Sequence, residues 1–254
     1  MSFATGTDAY ARHIGRYGPA LSVAHAGAAG LREGDRALDV GCGPGVLLAE
    51  LAARLGAGRV AGVDPSEPFL ALARTAVPGA DLRSANAERL PFPDGAFDVA
   101  MSQLVVNFMA DAGAGAAEMR RVARRTVTSC VWDYAEGMTM LRTFWDAALE
   151  LDPDAPDEGR TMRHRTPDAL AALWEGAGLR EVETAPLLVE AAYADFEDLW
   201  APMPSGIGPS GAWCASLDAA GQAALREAWR RRLGSPEGAF SLSARAWLVR
   251  GSCP

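Results

Sequence analysis

The sequence predicts an α/β fold: a seven-stranded, mostly parallel sheet with helices on both faces, an N-terminal helical cap over residues 1–36, and an insertion between strands six and seven. Three observations carry this. From 37 to 133, short apolar β-type runs alternate with stretches of helical spacing, as expected of parallel strands joined by right-handed crossovers. Two of those runs, Ala37-Leu38-Asp39-Val40 and Arg59-Val60-Ala61-Gly62-Val63-Asp64, place an acid at or near the strand end. The first breaks at once into Gly41-Cys42-Gly43-Pro44-Gly45 and a helix follows, so the loop faces a ligand at the carboxyl end of the sheet.

The leading segment holds Tyr10, Arg12, His13, Arg16 and Tyr17, then a helix of small residues around 20–31. After the glycine loop, Val46–Leu55 has helical spacing and good helix formers up to the stop at Gly56. Pro65-Ser66-Glu67-Pro68 starts the next helix, 69–76, and a third strand lies near 81–85. The fourth strand is expected over 97–102, a helix over 114–122 and the fifth strand over 127–132. Residues 134–178 read as mainly helical, broken by a loop at 151–159. Thr166-Pro167-Asp168 caps the helix that ends before Gly178. Strands six and seven are expected over 179–192 and 240–250. Between them, about 195–238, lies an insertion with a turn-rich stretch at 202–211 and a helix at 219–233, a place where one fold acquires different substrates. The reading is one domain over 37–254, preceded by the cap.

A chain of 254 residues with 49% hydrophobic and 22% charged content can bury a full core. Its formal net charge is −8 and it contains no lysine, so nucleic acid and other polyphosphate partners are not expected. Arg230-Arg231-Arg232 falls near a helix end, where cations suit the macrodipole. Cys42, Cys130, Cys214 and Cys253 are too scattered for a zinc site or a disulfide framework, and no metal is expected. With no secretory signal and no apolar run of the roughly 18 residues a membrane span needs, a cytoplasmic protein, monomer or homodimer, is the expectation.

The glycine loop admits two ligands. A dinucleotide site has glycines at the first, third and sixth positions, whereas here the third falls at the fifth and the sixth is Val46. Asp39 would also oppose a pyrophosphate at the helix N-terminus. A ligand carrying positive charge suits it, and S-adenosylmethionine has both an α-amino group and a sulfonium. Asp64 suits ribose hydroxyls in either case, and Asn86 and Glu88 are placed to hydrogen-bond an adenine edge.

The ordered set LDVGCGPG at 38–45, GVDPS at 62–66, NAERLPFPDGAFD at 86–98 and MSQLVVNFM at 101–109 resembles the class I S-adenosylmethionine-dependent methyltransferases. Within that family it is similar to the small-molecule type akin to the quinone-biosynthesis C-methyltransferases. The resemblance implies a Rossmann-like fold in which Asp39, Gly41, Cys42, Gly43 and Gly45 hold the methionine end of the cofactor. It implies Asp64 with Pro65 at the ribose, Asn86, Ala87 and Glu88 at the adenine, and Gln103 bordering cofactor and substrate. Arg16 or Tyr17 of the cap would reach the cofactor carboxylate. One departure stands out: in place of the family's Pro-Gly-Gly type turn before the fifth strand, the chain has Arg120-Arg121-Val122-Ala123-Arg124-Arg125.

Methyl transfer from a sulfonium is an in-line displacement, so the protein mostly aligns the reacting groups. A phenol, enol or activated carbon acceptor gains from a base, and the candidates are His13, His25, His164, Tyr17, Asp133 and Tyr134, with His13, Asp133 and Tyr134 ranked first. Trp200, Met203 and Trp213 are candidates to line an apolar acceptor pocket. The fourth strand lacks the Asn/Asp-Pro-Pro-aromatic turn of nucleobase N-methylation, and Gln103 stands where a magnesium-dependent enzyme needs an acid. The expected function is methyl transfer to a small apolar or aromatic molecule at carbon or oxygen. The alternatives are an NAD(P)-dependent oxidoreductase and a catalytically silent, methyltransferase-like binding subunit.

Overall fold

The computed structural model describes residues 12–254, and Tyr10 lies outside them. In chain order the elements are α1 (Gly18–Ala28), β1 (Ala37–Val40), α2 (Val46–Leu55), β2 (Val60–Asp64), α3 (Glu67–Ala76), β3 (Asp81–Ser84), β4 (Phe97–Gln103), α4 (Ala112–Val122), β5 (Ala123–Trp132), α5 (Thr139–Leu151), α6 (Glu158–Thr161), α7 (Pro167–Gly176), β6 (Arg180–Tyr193), α8 (Phe196–Trp200), α9 (Gly208–Ser216), α10 (Ala219–Arg232) and β7 (Phe240–Ser252). The strands form one seven-stranded sheet in the order β3-β2-β1-β4-β5-β7-β6. β1 through β5 pair in parallel, and β7 runs antiparallel to β5. The mostly parallel Rossmann-like sheet is therefore as the sequence predicts. Because β2 and β3 lie on one side of β1 and β5 lies beyond β4 on the other, the winding reverses between β1 and β4, which is where an open α/β sheet binds ligands.

The chain divides into two compact units. The sheet unit comprises Gly18–Trp132, Arg163–Leu187 and Ala246–Pro254, and the helical unit comprises residues 12–17, Asp133–Met162 and Leu188–Arg245. Strands β6 and β7 contribute residues to both. Helix α1 counts with the sheet unit rather than with residues 12–17, and the insertion at 195–238 builds α8, α9 and α10 of the helical unit.

Within the sheet unit the alternation of strand side chains sorts the core into two layers. Leu38, Val40, Val63, Ala100, Val127 and Val131 pack with α4 and α7 on one face. Ala37, Val60, Val99 and Met101 pack with Ala26 of α1 and Leu47, Leu48 and Leu51 of α2 on the other. Strands β1 and β2 are buried along their whole length, while the edge strand β3 is largely exposed.

Caps explain the helix starts. Thr166 accepts the Ala169 N–H at 3.3 Å with Pro167 in the first turn of α7. Asp111 accepts the Ala114 N–H at 3.0 Å and starts α4 two residues before the sequence suggests. Asp111→Ala is expected to lower stability by about 1 kcal/mol in urea unfolding. Strand β5 begins at Ala123, four residues early, directly against the last residue of α4. Its polar start hides it in the sequence, since Arg124 pairs with Asp98 and Arg125 with Asp35. The place where a Pro-Gly-Gly type turn was missing holds no turn at all.

Candidate active site

The glycine loop is tied down from below. The N–H groups of Gly41 and Cys42 both donate to the Val63 carbonyl, at 2.8 and 2.9 Å, and the Gly43 N–H donates to Asp64 Oδ2 at 2.9 Å. Asp64 Oδ1 accepts the Ser66 N–H at 2.8 Å, so one carboxylate joins the loop to the start of α3. Burial raises the Asp64 pKa, and these two backbone donors work against that rise. Gly41 sits at φ +74°, and a Cβ there would lie 2.5 Å from Val105 Cγ2. Gly43 sits at φ +52° with nothing within 4 Å of a Cβ, so its outer side is open. The residue after β4, Leu104, is also left-handed at φ 63° and donates its N–H to the Cys130 carbonyl at 2.8 Å. A non-glycine residue held there marks strain that its surroundings over-determine.

Asp39 is the unusual group. It is 1% exposed and its Oδ2 has no hydrogen-bond partner. Burial, then the neighbouring Asp64 carboxylate, push its pKa up to about 8, against one backbone hydrogen bond at Leu48. A buried carboxylate in this state gains from a cation and is penalised by an anion. That argues against a pyrophosphate in the loop and fits the ammonium of S-adenosylmethionine. Farther along the sheet edge, Pro65 and Asn86 are exposed, Ala87 is half-buried, and Glu88 is fixed by the Asp111 N–H at 3.2 Å. Cys42 is buried and its thiol is pushed upward, first by burial and then by Asp39 and Asp64.

The methyltransferase domain family matches residues 38–128, the segment that carries Asp39, the glycine loop, Asp64 and Glu88. Demethylmenaquinone methyltransferase of Roseiflexus sp. is 31% identical over 171 residues, which cover 58% of this chain and 68% of that protein. The chain belongs to the S-adenosylmethionine-dependent methyltransferase family. Solved structures agree on the fold. A methyltransferase of Thermotoga maritima, described as a possible histamine N-methyltransferase, superposes with TM-score 0.57 at 19% identity over 99% of this chain and 98% of that one. A phosphoethanolamine N-methyltransferase of Haemonchus contortus gives 0.61 at 16% identity, over 99% of this chain and 58% of that one. The chain spans 28%, 57% and 36% of the lengths of the first three curated relatives it matches.

Five further residues expected at the site lie in the helical unit. Arg16 donates to both carboxylate oxygens of Asp198, at 2.7 and 2.8 Å, and its guanidinium lies 4.5 Å from the Tyr193 ring centre. The Tyr193 hydroxyl donates to the Tyr17 hydroxyl at 3.1 Å, and burial first, then Tyr193, raise the Tyr17 pKa. Asp133 accepts from Arg245 Nε at 2.8 Å and from the Glu136 N–H at 3.2 Å. Tyr134 is buried. His13 is also buried, its Nδ1 has no partner, and burial pushes its pKa down to about 4, so it is neutral at pH 7. The cofactor-loop residues thus converge within one unit, while Arg16 and Asp133 are engaged by charged partners of their own unit.

The sequence singles out His25 and Gln103 separately, but not Ser22 or the cluster that joins them. In α1, Leu21, Ser22, His25 and Ala26 form the buried stripe, and Ser22 and His25 are its polar members. His25 Nε2 lies 3.1 Å from Thr128 Oγ1, His25 Nδ1 lies 3.5 Å from Cys130 Sγ, and Gln103 Nε2 donates to Ser22 Oγ at 2.9 Å. A serine and a histidine three residues apart on the apolar stripe of a small-residue helix were the available signal.

Proposed function

We propose that the protein transfers a methyl group from S-adenosylmethionine to a small apolar or aromatic acceptor, at carbon or oxygen. The observation that carries the donor half is the buried, uncompensated Asp39 beside an open glycine loop where the sheet's winding reverses. In this reading Asp39, Gly41, Cys42, Gly43, Gly45 and Gln103 hold the methionine end, Asp64 and Pro65 the ribose, and Asn86, Ala87 and Glu88 the adenine. When bound, the cofactor supplies an activated methyl group together with its leaving group. The chain's own residues orient the donor and exclude water, and the strained backbone at Leu104 fixes the end of β4 against Gly41 through Val105. Asp64 already accepts two backbone N–H groups, and a carboxylate retains lone pairs for ribose hydroxyls.

The apolar or aromatic acceptor rests on the resemblance of the motifs; in the helical unit Phe144, Trp145 and Trp229 are fully buried and pack as core. Phe144 meets Trp145 and Trp229 edge-on at 5.2 and 5.3 Å, and Trp213 lies 5.9 Å from Trp145. His13, Asp133 and Tyr134 are the groups proposed to handle an acceptor proton, and neutral His13, with its unpartnered Nδ1, is the freest of them.

Calorimetry with S-adenosylmethionine and with NADH tests the donor, and tighter NADH binding would overturn the reading. Formation of S-adenosylhomocysteine with phenolic, quinone and polyketide acceptors tests turnover; tight cofactor binding with no product from any of them would favour a silent binding subunit. Asp64→Ala is expected to weaken cofactor binding by about 1.5–3 kcal/mol, roughly 10- to 150-fold. An unchanged affinity would remove Asp64 from the ribose.

A further inference from the structure

We propose that Ser22 is a positioning residue: it tethers the Gln103 amide so that the amide oxygen, together with Asp39, forms a two-acceptor seat for the cofactor's ammonium group. This rests on the S-adenosylmethionine reading above and adds a residue that lies outside the cofactor loop.

The register brings the parts together. Asp39 pairs with Met101 across β1 and β4, and Met101 and Gln103 pair with Thr128 and Cys130 across β4 and β5. Residues level with each other, or two apart, point to the same side of a sheet, so Asp39, Gln103, Thr128 and Cys130 share the face that α1 covers. From α1, Ser22 Oγ takes the Gln103 Nε2 hydrogen at 2.9 Å, and His25, held at Thr128, stands beside the same amide. In this orientation the amide Oε1 is buried without a partner. Asp39 Oδ2 is likewise buried without a partner. Orphaned acceptors on two adjacent strands, at the carboxyl ends where the sheet's winding reverses, call for a ligand with several hydrogen-bond donors and positive charge. An ammonium group has three donors and no acceptor, so it would be repelled by the amide if that group were turned over. Ser22 therefore acts by tethering the Gln103 side chain at the end of β4, where the ammonium itself selects the orientation that presents the amide oxygen.

The test compares two ligands that share the adenosine and the thioether and differ in the amino-acid portion: S-adenosylhomocysteine, and 5′-methylthioadenosine, which has no ammonium group. For Ser22→Ala, calorimetry should show S-adenosylhomocysteine weakened about tenfold and 5′-methylthioadenosine unchanged, with Ser22→Thr restoring the first. Gln103→Met should show the same ligand-selective loss, and it serves as the second variant if Ser22→Ala fails to fold. Equal weakening of both ligands would mean that Ser22 only supports the fold, and no weakening of either would mean that the amide needs no anchor; both results overturn the proposal. If the unaltered protein binds neither ligand, the cofactor reading itself has failed.

Discussion

Asp39→Asn is expected to weaken S-adenosylmethionine binding by about 1.5–3 kcal/mol, roughly 10- to 150-fold, and at the same time to make the ligand-free protein more stable at pH 8. The opposed signs follow from one cause. Burial, with Asp64 nearby, raises the Asp39 pKa from 3.8 to about 8. The folded state therefore holds a proton that the unfolded state releases. Its contribution to stability is fully present below the unfolded pKa and is lost as pH rises toward about 8. An asparagine of the same shape has no proton to lose. The urea stabilities of the two proteins should therefore diverge as pH rises from 4 to 8, with the variant above. Binding reverses the preference, because the ammonium favours the ionised carboxylate and the native protein must release a proton to bind. Calorimetry at pH 7 in buffers of different ionisation enthalpy should detect proton release in the native protein that is absent from the variant. A variant less stable than the native protein at pH 8, or one with undiminished affinity, would contradict this account of Asp39.

Gly41→Ala should cost the fold more than any other single methyl group added to the loop. Two penalties coincide there: a left-handed backbone at φ +74°, and a Cβ within 2.5 and 2.7 Å of the two Val105 methyl carbons. Together they are expected to lower stability by about 2–4 kcal/mol in urea unfolding. Adding Val105→Ala should recover part of that loss, since it removes the collision and leaves the backbone strain. Gly43→Ala is the control. With φ at +52° and no atom within 4 Å, only the backbone term of about 1–2 kcal/mol applies. Equal losses at 41 and 43 would show that the Val105 contact does not restrict the loop.

The legible parts of the sequence were those whose cause is local. The strand–glycine loop–helix at 37–55, the acid closing β2 and the Thr166-Pro167 helix start are each set by neighbours within a few residues. The parts that stayed hidden depend on distant partners. Arg16 reads as a free cation until Asp198, 182 residues away, takes its guanidinium. Asp133 reads as an available carboxylate until Arg245 reaches it across 112 residues. Ser22 and His25 are polar interruptions in a helix of small residues, and their meaning comes from Gln103, Thr128 and Cys130. The early start of β5 was masked in the same way, because paired arginines carry no β signal.

The position of β7 has a consequence for how the molecule is made. It is the last strand in the chain, yet it pairs directly with β5 and lies between β5 and β6. On the ribosome the β5 edge must wait through more than a hundred residues for its partner, presenting unpaired backbone groups and apolar side chains meanwhile. Closure of that edge requires contacts between the middle and the end of the chain, a topology that slows folding. A nascent chain stalled before residue 240 would hold the complete cofactor loop and an open, aggregation-prone sheet, making synthesis of the final strand the step that renders the protein safe.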